Sequence, residues 1–259
     1  MTAEDAAALA ALVGAPQKTD GPVDVARRGR LATLVDWVAA VRESGAAPFT
    51  RPVLVSAGPE PVAGLDARRL EPGDDEAAAF DTGRALADTE VDSGADLLMV
   101  AGIGDPARAT ALVAAFTWTE PAKAADRGFD DAAWVRTTGI VRDTLRALRG
   151  RRDDPMAVLT VAGDATVAGL AGVCFQAAVR RTPVLLDGLG AVAAALGAAR
   201  LAPGAVDWWL AADRGAAGPQ RKALEELSLD PVLALDLRLD DGTGAALALA
   251  VLQTVLNAR

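Results

Sequence analysis

Two features decide what chemistry this chain can perform: the side chains it lacks, and the small and acidic residues that follow its apolar runs. Its 259 residues include no His, no Tyr and one Cys, which removes a zinc site of His and Cys, a Ser-His-Asp triad and a Cys-His pair. Catalysis must then rest on Asp, Glu, Lys, Arg, Ser, Thr and backbone. Several carboxylates follow strand-like segments together with glycines: Gly102 and Gly104, Gly163 and Asp164, Asp187 and Gly188, Asp213, and the run Asp240-Asp241-Gly242-Thr243-Gly244. Glycines admit a ligand close to the backbone, and helix N-termini present free N–H groups to an anion. A phosphorylated small molecule is the ligand this combination suggests.

Each feature also has a structural reading. Gly102-Ile103-Gly104 lacks the third glycine of a dinucleotide fingerprint. Asp187 and Asp213 are equally suited to capping helices. Trp208 and Trp209 read as core or interface, Cys174 as a buried inert thiol, and the basic loop Arg149, Arg151, Arg152 as a solvated face. A magnesium site on Asp164, Asp187, Asp213 and Asp241, in a phosphate-handling enzyme, is chemically allowed because hard cations take carboxylate oxygens. It ranks last because those aspartates are scattered over different strand ends.

The elements that must position these residues alternate. Apolar runs at 52–58, 97–101, 157–161, 183–186, 207–212 and 233–239 read as strands, and periodic stretches between them read as helices. Asp105 and Pro106 form an N-cap and a first-turn proline; residues 58–75 lack a period and read as a loop. The pattern predicts an α/β fold, a doubly wound, mostly parallel sheet with helices on both faces, preceded by an N-terminal helical segment at 1–50 and occupying 51–259. Thr2 and Asp5 read as a capping pair for the first helix, and Lys18, Asp20, Gly21 and Pro22 as a polar stretch after it. Ligands in such folds bind beyond the carboxyl ends of the strands, so the glycines and aspartates are expected at one edge.

The net charge of −9 gives no footprint for nucleic acid. No apolar run approaches the roughly 20 residues of a membrane span, and acidic Glu4 and Asp5 stand where a signal peptide carries positive charge. With one cysteine, the chain reads as cytoplasmic. Ala-rich and Trp-bearing surfaces in so apolar a chain predict a homodimer.

The stretches 182–219 and 224–252, containing PVLLDGLGAVAAALGAARLAP and LRLDDGTGAALALAVL, resemble the carboxy-terminal half of the nicotinate-nucleotide:dimethylbenzimidazole phosphoribosyltransferases. Weaker collinear matches are LLMVAGIGDPARATA at 97–111, RGFDDAAWVR at 127–136, VAGDATVAGLAG at 161–172 and GRLATLVDWVA at 29–39. The resemblance implies a doubly wound homodimer without metal or cofactor that passes phosphoribose from nicotinate mononucleotide to a benzimidazole base. A carboxylate takes the ring proton as the base attacks, and backbone amides hold the phosphate.

Carried over residue by residue, the family's catalytic glutamate falls on Asp241, one methylene shorter, and its Arg-Leu-Gly-Glu-Gly segment has Asp240 in place of the first glycine. The resemblance assigns phosphate and nucleotide contacts to Gly102, Gly104, Arg127, Gly128, Gly163, Asp187, Gly188, Gly242, Thr243 and Gly244. Asp105 stands where it competes with phosphate for helix amides, and Thr137 replaces a lysine whose charge Arg127 or Arg136 is placed to supply. The family's Asp-His-Gly turn is Pro59-Glu60 here, and most of its acceptor segment is missing; Gly218-Pro219-Gln220 replaces Pro-Gly-His. These departures lead to an expectation of weak or absent activity in the usual reaction. The alternative is a catalytically silent paralogue that partners or regulates a full-length relative.

Overall fold

The computed structural model describes residues 3–17, 29–58, 62, 64–73, 75–102, 104–126 and 130–258. The capping role of Thr2, the polar stretch 18–22, the turn 59–60 and the proposed ligands Arg127 and Gly128 lie outside the described residues.

Five strands form one wholly parallel sheet: β1 (Pro52–Ser56), β2 (Asp66–Arg69), β3 (Leu97–Ala101), β4 (Val184–Leu186) and β5 (Trp209–Ala211). Their order is β2-β1-β3-β4-β5. The chain runs outward from β1 to β2 and then returns past β1 to β3, so the winding reverses between β1 and β3, where doubly wound sheets open a ligand crevice. Register aligns Pro52 with Leu97, Leu98 with Val184 and Leu185 with Leu210.

Side chains alternate across this sheet with the two-residue strand period. Val53, Val55, Leu98, Val100, Val184 and Leu186 face one apolar layer. It is completed by α3 (Glu76–Asp92), α4 (Pro106–Thr117), α7 (Pro155–Ala162), α8 (Ala165–Val179) and α9 (Gly188–Leu201). Leu54, Leu97, Met99, Leu185 and Leu210 face the other layer, against α2 (Arg30–Val41) and α11 (Thr243–Asn257). Outside these lie α1 (Ala3–Ala11), the short α5 (Pro121–Ala124), α6 (Asp131–Ala147) and α10 (Gly218–Leu227), with a 3-10 turn at Pro203–Trp208.

Small residues set the helix spacing. A Cβ at Gly83 of α3 would overlap the Gly169 carbonyl of α8, and one at Gly172 would overlap the Phe80 carbonyl. The two backbones therefore touch, with Phe80 and Phe175 rings 5.8 Å apart beside the crossing.

Four sequence expectations need correction. Residues 157–161 are helical: Asp154 caps α7 by accepting from the Met156 and Ala157 amides, with Pro155 at the first position. That N-cap and proline outweigh an apolar, partly β-branched run too short to show a helical period. Residues 233–239 form no strand; one bridge joins Asp213 to Leu233. The stretch read as loop holds β2, a polar edge strand with no apolar signature, whose Arg68 bonds Glu90 at 3.0 Å. The Ala-rich helices α8 and α9 are interior, as are Trp208 and Trp209 at 3% and 1% exposed, so these supply no dimer surface.

Candidate active site at the carboxyl edge

Directly after β3, beside the point where the winding reverses between β1 and β3, comes Gly102. Its φ of +114° suits glycine alone, and a Cβ there would lie 2.8 Å from the Ala57 amide nitrogen. Gly104 follows, so close to the Asp164 carboxylate that any side chain would collide with it.

Asp164 joins two helix entrances. One carboxylate oxygen caps α8 through the Val167 amide at 2.9 Å, and the other accepts from the Asp105 amide at 2.6 Å. Asp105 in turn caps α4 through the Ala107 amide at 2.9 Å. Gly163 and Asp164 thus reach the β3 loop from the end of a helix, whereas the sequence placed them after a strand.

Beside them, after β4, three carboxylates gather. Asp187, 1% exposed, accepts from the Gly244 amide at 3.1 Å and from Ala245, so it caps α11 from a point 57 residues earlier. Burial, with Asp240 and Asp241 nearby, pushes its carboxyl up to about 7 despite those two amides. Asp240 makes the reciprocal contact, accepting from Leu189 at 2.8 Å and from Gly190 at the start of α9. Burial holds Asp240 above the ordinary carboxylate range as well.

Asp241 accepts from the Thr243 amide at 2.9 Å, and its own carbonyl takes the Val62 amide at 2.9 Å. Gly242, at φ +95°, closes on the Leu54 side chain of β1. Asp187, Gly188, Asp240, Asp241, Gly242, Thr243 and Gly244 therefore form one unit at the carboxyl edge, with Gly102 at the neighbouring strand end. Sequence reasoning grouped these residues by their position after apolar runs but gave Asp240 no role, although a second aspartate directly before Asp241 was the available signal.

Asp213 belongs to a different structure. It is 2% exposed, and its oxygens accept from Gly215, Leu235 and Leu237 at 2.9, 2.6 and 2.9 Å. That satisfies the carboxylate with backbone and anchors the loop after β5. Among the described residues no three acidic, His or Cys side chains converge to hold a metal. Arg136 and Thr137 stand on α6, with Arg136 exposed. Cys174 is fully buried, and desolvation pushes its thiol well above the ordinary range, which leaves it inert.

A parallel, doubly wound sheet with glycine turns and a carboxylate cluster at its carboxyl edge defines an α/β protein of the class that binds ligands beyond its strand ends. A family model described as phosphoribosyltransferase matches residues 73–258. The chain belongs to the nicotinate-nucleotide–dimethylbenzimidazole phosphoribosyltransferase family.

It is 50% identical over 189 residues to the nicotinate-nucleotide–dimethylbenzimidazole phosphoribosyltransferase of Mycobacterium bovis (strain BCG / Pasteur 1173P2), covering 71% of this chain and 52% of the relative. The enzyme of that name from Mycobacterium ulcerans (strain Agy99) is also 50% identical over 189 residues, covering 71% and 53%. The chain thus spans about half the length of the curated relatives it matches. The crystal structure of CobT from Thermus thermophilus superposes with a TM-score of 0.78 at 23% identity, over 98% of this chain and 94% of that one. This last likeness concerns the fold. Among the described residues no helix is long and apolar enough to cross a membrane.

Proposed function

We propose that this chain transfers phosphoribose from nicotinate mononucleotide to an aromatic nitrogen base, slowly, with Asp241 as the general base. The acceptor nitrogen attacks the anomeric carbon as the bond to nicotinate breaks; nicotinate leaves with the electron pair, and the acceptor's ring proton passes to Asp241. The observation that carries this reading is the Asp187, Asp240 and Asp241 cluster at the carboxyl edge, inside the segment the family model matches. The resemblance assigns the nucleotide to Gly102, Gly104, Gly188 and Gly242 to Gly244, of which Gly104 is exposed, and its phosphate to Arg127, Gly128 and Arg136.

Three features support slow turnover. Asp241 is one methylene shorter than glutamate and is engaged by the Thr243 amide. Asp240 holds the amides at the start of α9, and Asp105 those at the start of α4. A phosphate must displace carboxylates that already satisfy these donors.

The test is nicotinate release from nicotinate mononucleotide in the presence of dimethylbenzimidazole. Release that exceeds the protein-free rate and disappears in Asp241→Ala supports the reading. Release at the background rate by the wild type overturns it in favour of a silent paralogue that partners a full-length relative. A cytoplasmic homodimer completes the proposal: Leu235, Leu239 and Leu247, exposed on the segment that carries Asp241, are apolar groups for a second copy to cover. A monomeric mass by light scattering would remove that part.

A further inference from the structure

The basic segment in and after α6 is exposed at Arg142, Arg146, Arg149 and Arg151, as a solvated face is, whereas Arg152 is half-buried. Arg142, Arg146 and Arg149 recur at helical spacing, and Arg151 and Arg152 follow in the turn before α7, so five cations fall between residues 142 and 152 of a chain with net charge −9. Arg142 bonds the adjacent Asp143 at 2.9 and 3.1 Å. Among the described residues the other four form no ion pair.

Arg142, Arg146, Arg149 and Arg152 line a cleft of about 600 Å³ together with Trp118 and Leu145. Asp153 is the lone carboxylate among the described lining residues. A volume of several hundred Å³ is the scale of a small-molecule site.

Two observations inside the cleft point to an anion. The Arg152 guanidinium lies 4.4 Å from the centre of the Trp118 ring, yet its buried Nε has no hydrogen-bond partner. A desolvated cationic donor without an acceptor is costly, and an incoming oxyanion removes that cost when the half-buried Arg152 side chain turns its Nε toward the cleft. Burial already holds this guanidinium below the ordinary arginine range. Trp118 itself sits at the end of α4 in a left-handed conformation, φ 55°, which is strained for a bulky residue and leaves its ring 68% exposed.

We propose that the cleft of Trp118, Arg146, Arg149 and Arg152 binds a small phosphate-bearing ligand, whose charges meet the guanidiniums and whose planar part packs on Trp118. The site is separate from the carboxyl edge: Asp154 and Pro155 open α7 beside it, whereas Gly163 and Asp164 lie beyond that helix's far end, about 12 Å away at 1.5 Å per residue.

Inorganic pyrophosphate and adenosine monophosphate are the probes, titrated calorimetrically into the full chain, with Arg146→Glu, Arg149→Glu and Trp118→Ala compared at equal melting temperature. Both charge reversals are expected to weaken both probes by roughly tenfold or more, as loss of a charge-assisted contact does. Trp118→Ala is expected to weaken adenosine monophosphate and spare pyrophosphate. If neither probe binds, or if binding survives both reversals, the cleft is not the site and the proposal fails.

Discussion

Asp187 and Asp240 cap each other's helices: Asp187, directly before α9, accepts from the first amides of α11, while Asp240, just before α11, accepts from Leu189 and Gly190 of α9. Two acids whose charges repel are thereby fixed side by side, each held by the other helix's N-terminal dipole. The exchange brings Asp241 to the β4 edge. It also fills with protein carboxylate the two helix N-termini nearest the base.

The first prediction concerns Asp240. Removing its side chain in Asp240→Gly frees the Leu189 and Gly190 amides and opens the space beside Gly188. Binding of nicotinate mononucleotide should tighten by roughly tenfold, while loss of the cap costs about 1 kcal/mol of stability. Calorimetric titration and urea unfolding of the same variant measure the two effects. Unchanged or weaker binding would show that phosphate does not compete for this helix.

The second follows from the raised carboxyl of Asp187. Its value moves from 3.8 to about 7 on folding, so between those pH values the folded state binds the proton more than the unfolded state does. Stability is therefore highest below pH 4 for this group and declines as pH rises toward 7, by up to ~4 kcal/mol at full linkage. Asp187→Asn keeps an acceptor for Gly244 and should flatten that decline. Urea midpoints of wild type and variant between pH 5 and 8 decide it; parallel curves would sink the idea.

Asp213 gives a third test. With three backbone amides on one buried carboxylate, Asp213→Ala should cost about 3 kcal/mol or more because those donors lose their acceptor. Hydrogen exchange should quicken at Gly215, Leu235 and Leu237. Millimolar magnesium should leave the melting temperature of the wild type unchanged; a rise would revive the metal-site reading.

The alternation of apolar runs and helices made the parallel sheet legible, and LLMVA at 97–101 is reproduced residue for residue by β3. What failed did so for physical reasons. AVLTV is a short apolar run in which Ala157, Val158 and Leu159 are buried and Thr160 and Val161 half-buried, so periodicity could not separate helix from strand there, while Asp154-Pro155 carried the answer. The strand β2 escaped notice because an edge strand of Asp66, Ala67, Arg68 and Arg69 is stabilised by Glu90 and by pairing with β1, neither of which is local in sequence. At the site, glycines and aspartates were legible one by one. Their partners were not: the contacts Asp187 to Gly244 and Asp240 to Leu189 span more than fifty residues.

The helix crossing supplies a fourth prediction. Alanine favours helix over glycine by about 1 kcal/mol, yet in Gly172→Ala the new methyl meets the Phe80 carbonyl. The collision should win, with a net loss of about 2 kcal/mol from overpacking as α3 and α8 are forced apart. Thermal unfolding reads this directly. A stabilised variant would mean the two backbones are farther apart than described.

The last prediction separates the reach of the base from its identity. If Asp241 accepts the acceptor's proton, its short side chain limits the rate because proton transfer requires heavy atoms within about 3 Å. Asp241→Glu restores the missing methylene and should raise kcat by roughly tenfold or more, since small displacements of a reacting group carry large penalties. KM for nicotinate mononucleotide should change little, because the amides that hold the nucleotide are untouched. Asp241→Ala should abolish turnover while leaving nucleotide binding intact, the signature of an interaction made only in the transition state. Equal rates for the glutamate variant and wild type would assign slow turnover to phosphate binding, and Asp240→Gly would then be the substitution that accelerates it. Full activity in Asp241→Ala would exclude Asp241 as the base, leaving Asp187, pushed up to about 7, as the remaining carboxylate matched to proton transfer near neutral pH.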